Sequence, residues 1–149
     1  MGALKVALLA PYPRPPGGLH QYTATLIEAL CDLAEQGAPE LAVVQRSDYD
    51  GMIAGRAPTS VVLRGLHAHV DTLLAVYPGT GIRACKARRF DVAVSPRASL
   101  AALRSGRRSV VTLHDLQHRR LPQFFSRRRR LLRDWLYSRA VTSADRVVC

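Results

Sequence analysis

Cysteine is scarce and unpatterned in this chain. Cys31, Cys85 and Cys149 are odd in number and none belongs to a Cys-x-x-Cys pair. The sequence therefore supplies neither a disulfide framework nor a cysteine zinc site, and its thiol usage suits a reducing, cytoplasmic setting. Long apolar runs are also missing. The first, Val6 to Ala10, is cut off by Pro11, Pro13, Pro15 and Pro16. It is too brief for a signal-peptide core, and no other run approaches the roughly 18 residues of a membrane span. A soluble protein is expected, at most peripheral on a membrane. Lysine is nearly absent: of 22 basic residues only Lys5 and Lys86 are Lys, and against 11 Asp plus Glu they leave a net charge of +11. Such a charge attracts phosphate in nucleic acid, nucleotides or anionic lipid without choosing among them, and arginine excess follows from GC-rich coding as readily as from function. Aromatics, at 6%, show no interleaving with basic residues that would suggest base stacking.

Several chemical signatures are lacking as well. There is no Gly-x-Gly-x-x-Gly dinucleotide loop, no Gly-x-x-x-x-Gly-Lys-Ser/Thr phosphate loop, no Gly-x-Ser-x-Gly elbow and no Cys-His nucleophile set. His20, His67 and His69 have no third ligand at useful spacing, so no metal site is expected.

What is present is an alternation. Apolar runs at Lys5 to Ala10, Leu41 to Gln45, Val61 to Leu63, Asp91 to Val94, Ser109 to Leu113 and Arg146 to Cys149 are unbroken and β-branched, the mark of strands buried on both faces of a parallel sheet. Between the first two, Tyr22, Leu26, Ile27, Leu30, Leu33 and Ala34 recur at helical spacing, and Gly37 ends that helix. Further helices are expected at His69 to Val76 and up to Phe90, a turn or two at Ala98 to Arg104, and a last helix capped by Ser126 and running through Ala140. Leu131, Leu132, Trp135, Leu136 and Ala140 are expected inward there, with Arg127, Arg130, Arg133 and Asp134 mostly outward. With 149 residues, enough to bury roughly two thirds of the unfolded surface, the chain reads as one α/β domain. Ligands of such sheets collect at the carboxyl ends of the strands.

Two of those ends carry chemistry. After the first strand, Gly17 and Gly18 open a helix, where backbone amides and the helix dipole favour phosphate. A proline-glycine turn that merely reverses the chain is the competing reading. After the fifth strand come His114 and Asp115. A histidine there can donate to a sugar hydroxyl or a developing charge; alternatively, the two residues bond each other or cap the next turn. His114 and His118, four apart, lack the further ligands of a metal site. The arginine run Arg127 to Arg130 is either the solvated face of a helix or a surface for nucleic acid or anionic lipid.

Taken in order, Lys5 to Ala10, Gly17-Gly18, Val110-Val111-Thr112-Leu113-His114-Asp115-Leu116-Gln117-His118, Leu121 to Ser126 and Ser143 to Cys149 resemble the N-terminal half of retaining GT-B glycosyltransferases of family 4. Bacterial mannosyltransferase-like members match best. The resemblance implies a Rossmann-like parallel sheet flanked by helices, and transfer of a sugar, with mannose the candidate, from a nucleotide sugar to a glycan or lipid-linked acceptor with retention. It implies that Gly17 and Gly18 face a donor diphosphate or acceptor phosphate, that His114 is catalytic and contacts the transferred sugar, and that Asp115 orients the loop or His114. No cofactor or metal is implied beyond the nucleotide sugar itself. The family's Glu-x7-Glu pair belongs to a second, donor-binding domain, and that spacing does not occur among Glu28, Glu35 and Glu40. Residues 1–149 are therefore expected to be a partial acceptor-side domain, inactive alone, with an exposed sheet edge. They are expected to act at the cytoplasmic face of the membrane in cell-envelope or polysaccharide assembly. A basic α/β module for nucleic acid or anionic lipid, without catalysis, is the alternative; no specific nucleic-acid partner is expected.

Overall fold

The computed structural model describes residues 4–10, 18–37, 39–45, 60–62, 90–100, 102–103 and 107–149. The helices expected between His69 and Phe90, and residue Gly17, lie outside these. Six strands, β1 (Lys5–Ala10), β2 (Glu40–Gln45), β3 (Ser60–Val62), β4 (Val92–Ser95), β5 (Arg108–Thr112) and β6 (Arg146–Val148), form one sheet in the order β3-β2-β1-β4-β5-β6. Every pairing is parallel. Each strand falls within a residue of an apolar run in the sequence, because a strand buried on both faces must be apolar at successive positions.

Among the described residues the helices are α1 (Gly18–Glu35), α2 (Gln117–Arg120) and α3 (Arg127–Ser143), with a 3-10 turn at Pro122–Phe124. α1 joins β1 to β2 on one face, where Ile27 and Cys31 pack against Val6, Leu8, Leu41 and Val43. Leu33, expected in this core, is 48% exposed: it sits on the flank of the stripe centred on Thr23, Ile27 and Cys31. Gly37, with φ at +92°, gives the left-handed residue that closes the helix. The opposite face packs Ala7, Leu9, Ala42, Ala93 and Val111 against Phe90, the 98–103 turn and Ala140 of α3. α1 and α3 therefore cover opposite faces. Crossovers of one hand require this when one steps from β1 towards β3 and the other from β5 towards β6.

α3 begins where expected, with Ser126 Oγ accepting from the Arg129 amide at 3.4 Å, but its orientation differs from expectation. Ala140 is fully buried and Leu136 packs against the core, whereas Leu131 is 61%, Trp135 47% and Leu132 42% exposed. Arg133, expected outward, is half-buried beside the Phe125 ring at 5.1 Å. At about 100° per residue, Leu131 and Ala140 are two and a half turns apart and point in opposite directions. Within the stretch expected to form a turn or two, the Leu103 amide bonds to the Leu100 carbonyl at 3.1 Å; Ala101 and Arg104 lie outside the described residues.

The amino ends of the strands share one device. Asp91, just before β4, accepts the Lys5 amide of β1 at 3.0 Å. Asp145, just before β6, accepts the Ser109 amide at 2.7 Å and its hydroxyl at 2.9 Å. Donation from the Ser109 backbone, then from its side chain, holds the Asp145 carboxyl below the ordinary carboxylate range. No helix among the described residues is long and apolar enough to cross a membrane.

Candidate functional site at the carboxyl edge of the sheet

The strand order runs outward in both directions from β1 and β4, so the connections leave the carboxyl ends of these two neighbours towards opposite faces. Ligands of open parallel sheets bind at such a reversal, and the described residues beside it here come from three elements. Gly18 begins α1 and is exposed, with open space around its α-carbon. Tyr22 lies one turn further, about 6 Å of helical rise. Its hydroxyl meets Thr112 Oγ1 at the end of β5 at 3.2 Å, and its ring stands edge-on to the His114 imidazole, with centroids 4.7 Å apart.

His114 is itself exposed, and its Nε2 lies 2.7 Å from the Pro96 carbonyl in the loop after β4. A carbonyl only accepts, so Nε2 carries the proton and donates. With Nε2 donating to Pro96, the ring nitrogen left to face a ligand is Nδ1, which in the neutral tautomer is an acceptor. The Pro96 loop is fixed from beneath by two buried serines. Ser95 Oγ donates to the Arg97 carbonyl at 2.9 Å, which leaves Ser99 Oγ to donate to Ser95 Oγ, also at 2.9 Å. Among the described residues, the contacts to the imidazole, from Pro96 and Tyr22, thus come from elements that adjoin the sheet.

Asp115 does not bond His114 here. Its Oδ1 accepts the Gln117 amide at 3.0 Å and so begins α2, the local capping role that a short acidic side chain fills well. His118 is buried and points away from the crevice, donating from Nε2 to Asp134 Oδ1 of α3 at 3.1 Å and packing edge-on against Tyr137. Arg119 Nε donates to the same oxygen. That contact, followed by His118, keeps the Asp134 carboxyl below its usual range. His114 and His118 are thus engaged separately, and no group of three or more His, Cys, Asp or Glu among the described residues could hold a metal.

Sequence reasoning missed Tyr22, Pro96 and Asp134 as partners of these histidines, and Thr112 as the partner of Tyr22. Tyr22 and Thr112 are 90 residues apart, and only the closed sheet brings them together. A cavity of about 480 Å³ lies elsewhere, at the amino ends of β4, β5 and β6, lined by Val92, Arg108, Ser109, Val110, Asp145 and Arg146. Its carboxylate is already bonded to Ser109, so its polar groups serve the sheet. Beside it Val92, Val94 and Val110 are half-buried and Val148 is 45% exposed.

Comparison of the chain with protein-family models, with curated proteins and with solved structures gives no match to any of them.

Proposed function

We propose that the carboxyl-edge crevice is the acceptor side of a retaining glycosyltransferase, and that the sheet is a Rossmann-like N-terminal GT-B domain working with a donor-binding partner domain in the cytoplasm. The observation that carries this reading is His114, held at the mouth of the strand-order reversal by the Pro96 carbonyl and the Tyr22 ring, with Nδ1 left to accept from a ligand hydroxyl. A polyhydroxylated ligand suits that arrangement, because a sugar hydroxyl can donate to the lone pair on Nδ1.

In the transfer, the bond between the anomeric carbon and the diphosphate oxygen breaks and the nucleoside diphosphate leaves. A new bond forms to the acceptor oxygen, and the acceptor's hydroxyl proton goes to the departing diphosphate. Positioned dipoles lower the barrier by stabilising the positive charge that develops on the sugar and the negative charge on the leaving group. In this reading His114 orients the sugar. Gly18, at the start of α1, and Gly17 before it in the sequence are assigned to a phosphate of donor or acceptor, and Asp115 keeps the His114 loop in place through the Gln117 amide. The acceptor is a glycan or lipid-linked sugar, with mannose as the candidate donor sugar.

Saturation-transfer NMR with GDP-mannose, UDP-glucose and methyl α-mannoside tests the reading on the chain itself. At least one sugar should take up saturation from the protein, and His114→Ala should weaken that signal about tenfold while stability stays within about 1 kcal/mol of wild type. Absence of any sugar signal, or an equal signal from His114→Ala, removes the proposal. Genomic sequence beyond codon 149 offers an independent test: a second strand-helix domain with Glu-x7-Glu supports the enzyme, and an immediate stop codon refutes it.

A further inference from the structure

We infer that the outer face of α3, together with the 3-10 turn before it, is a docking surface for an anionic lipid bilayer. Phe124 is 74% exposed, Leu131 61% and Trp135 47%. Leu131 and Trp135 are four apart, so they stand on one side of the helix, directed away from the sheet that buries Ala140. Folding has left these large apolar side chains in water although they belong to one short stretch, and soluble surfaces rarely group them so.

The charge around them selects the occupant. Residues 116 to 142 carry eight arginines and a single carboxylate, Asp134, and Asp134 is already bonded by Arg119 and His118. Arg127 to Arg130 are all exposed and directly precede Leu131. A bilayer with acidic headgroups satisfies both features at once: the guanidinium groups stay among the phosphates while Phe124, Leu131 and Trp135 enter the acyl boundary. Nucleic acid would meet the charge but leave the leucines unpaired, since an aliphatic side chain offers no stacking face. An acidic protein groove would need a concave partner for a convex helix.

The inference does not rest on the reading of the His114 crevice, but the two are compatible in space. α2, the 3-10 turn and the start of α3 directly follow the carboxyl end of β5, so the arginine run lies at the edge of the sheet where the crevice opens.

Trp135 is the only tryptophan of the chain, so its emission reports on this surface alone. The 149-residue chain is mixed with phosphatidylglycerol vesicles, with phosphatidylcholine vesicles, with single- and double-stranded DNA, and with inorganic phosphate. Phosphatidylglycerol alone should shift the emission to the blue and allow quenching by bromine-labelled acyl chains. Phe124→Ser with Leu131→Ser should lower partition about tenfold or more without changing the melting temperature, because both side chains are exposed. Changing Arg127, Arg128, Arg129 and Arg130 to Gln should lower it by about 600-fold, at roughly fivefold per charge. An emission unaffected by phosphatidylglycerol overturns the inference. So does vesicle binding that bromolipids do not quench, or DNA binding tighter than vesicle binding at the same salt.

Discussion

Replacing Tyr22 separates two contributions to the geometry around His114. Tyr22→Phe keeps the ring that stands against the imidazole but deletes the hydroxyl bonded to Thr112 at 3.2 Å. Thr112 is 96% buried and loses its partner, at a net cost of about 1 kcal/mol, within the 0.5–1.5 kcal/mol of a single hydrogen bond. Tyr22→Leu removes the edge-on pair as well, worth about 0.5–1.5 kcal/mol more. The Leu variant should therefore lose about 2 kcal/mol in total, or about 4–8 °C of melting temperature for a domain of this size. Urea unfolding followed by circular dichroism measures the stability, and the nitrogen resonances of His114 report the tautomer directly. Wild type and Tyr22→Phe should both show protonated Nε2 and unprotonated Nδ1, whereas Tyr22→Leu should show exchange between tautomers. Equal stabilities for the Phe and Leu variants, with identical His114 resonances in all three proteins, would mean that α1 does not brace the imidazole.

Two further outcomes follow from the packing of α3 and from the amino-edge clamps. Ala140→Leu should destabilise by about 1–3 kcal/mol through overpacking at a fully buried position, while Leu131→Ala stays within about 0.5 kcal/mol of wild type; the reverse order in urea melts would refute the placement of the helix. The lowered pKa of Asp145 means that its bond to Ser109 stabilises the fold above the ordinary carboxylate value of 3.8 and that this contribution disappears as pH falls through the lower folded value. The stability difference between wild type and Asp145→Asn should accordingly narrow with acidification, and a difference that persists unchanged to the acid transition would contradict the clamp.

The strands were legible because burial on both faces demands successive apolar residues, and Lys5–Ala10 or Arg108–Thr112 have little else to be. α1 was legible because one face is wet: Glu28, Asp32 and Glu35 are exposed while Ile27 and Cys31 are buried. α3 was legible in extent and not in orientation. Its apolar residues lie on both sides, so spacing could not choose which pair faced the sheet. The position of His114 at a strand end was readable from the chain order. Its tautomer was not, because the Pro96 carbonyl lies 18 residues away in a loop whose path depends on the finished sheet.

The orientation of α3 has a cause in the sheet beneath it. The α1 face is built from large side chains, Val6, Leu8, Ile27, Leu41 and Val43, whereas the α3 face is largely alanine: Ala7, Ala42, Ala93, Ala98, Ala102 and Ala140. Small residues let a helix approach closely, and a close helix leaves no volume for Leu131 or Trp135 at the interface. Excluding them does not bury them elsewhere: the 3-10 turn adds an exposed Phe124, and the residue between it and α2 an exposed Leu121. The thin alanine layer thus does two things at once. It closes the core on one side, and it turns Leu131 and Trp135 of α3 outward among arginines, the arrangement on which the proposed bilayer contact rests.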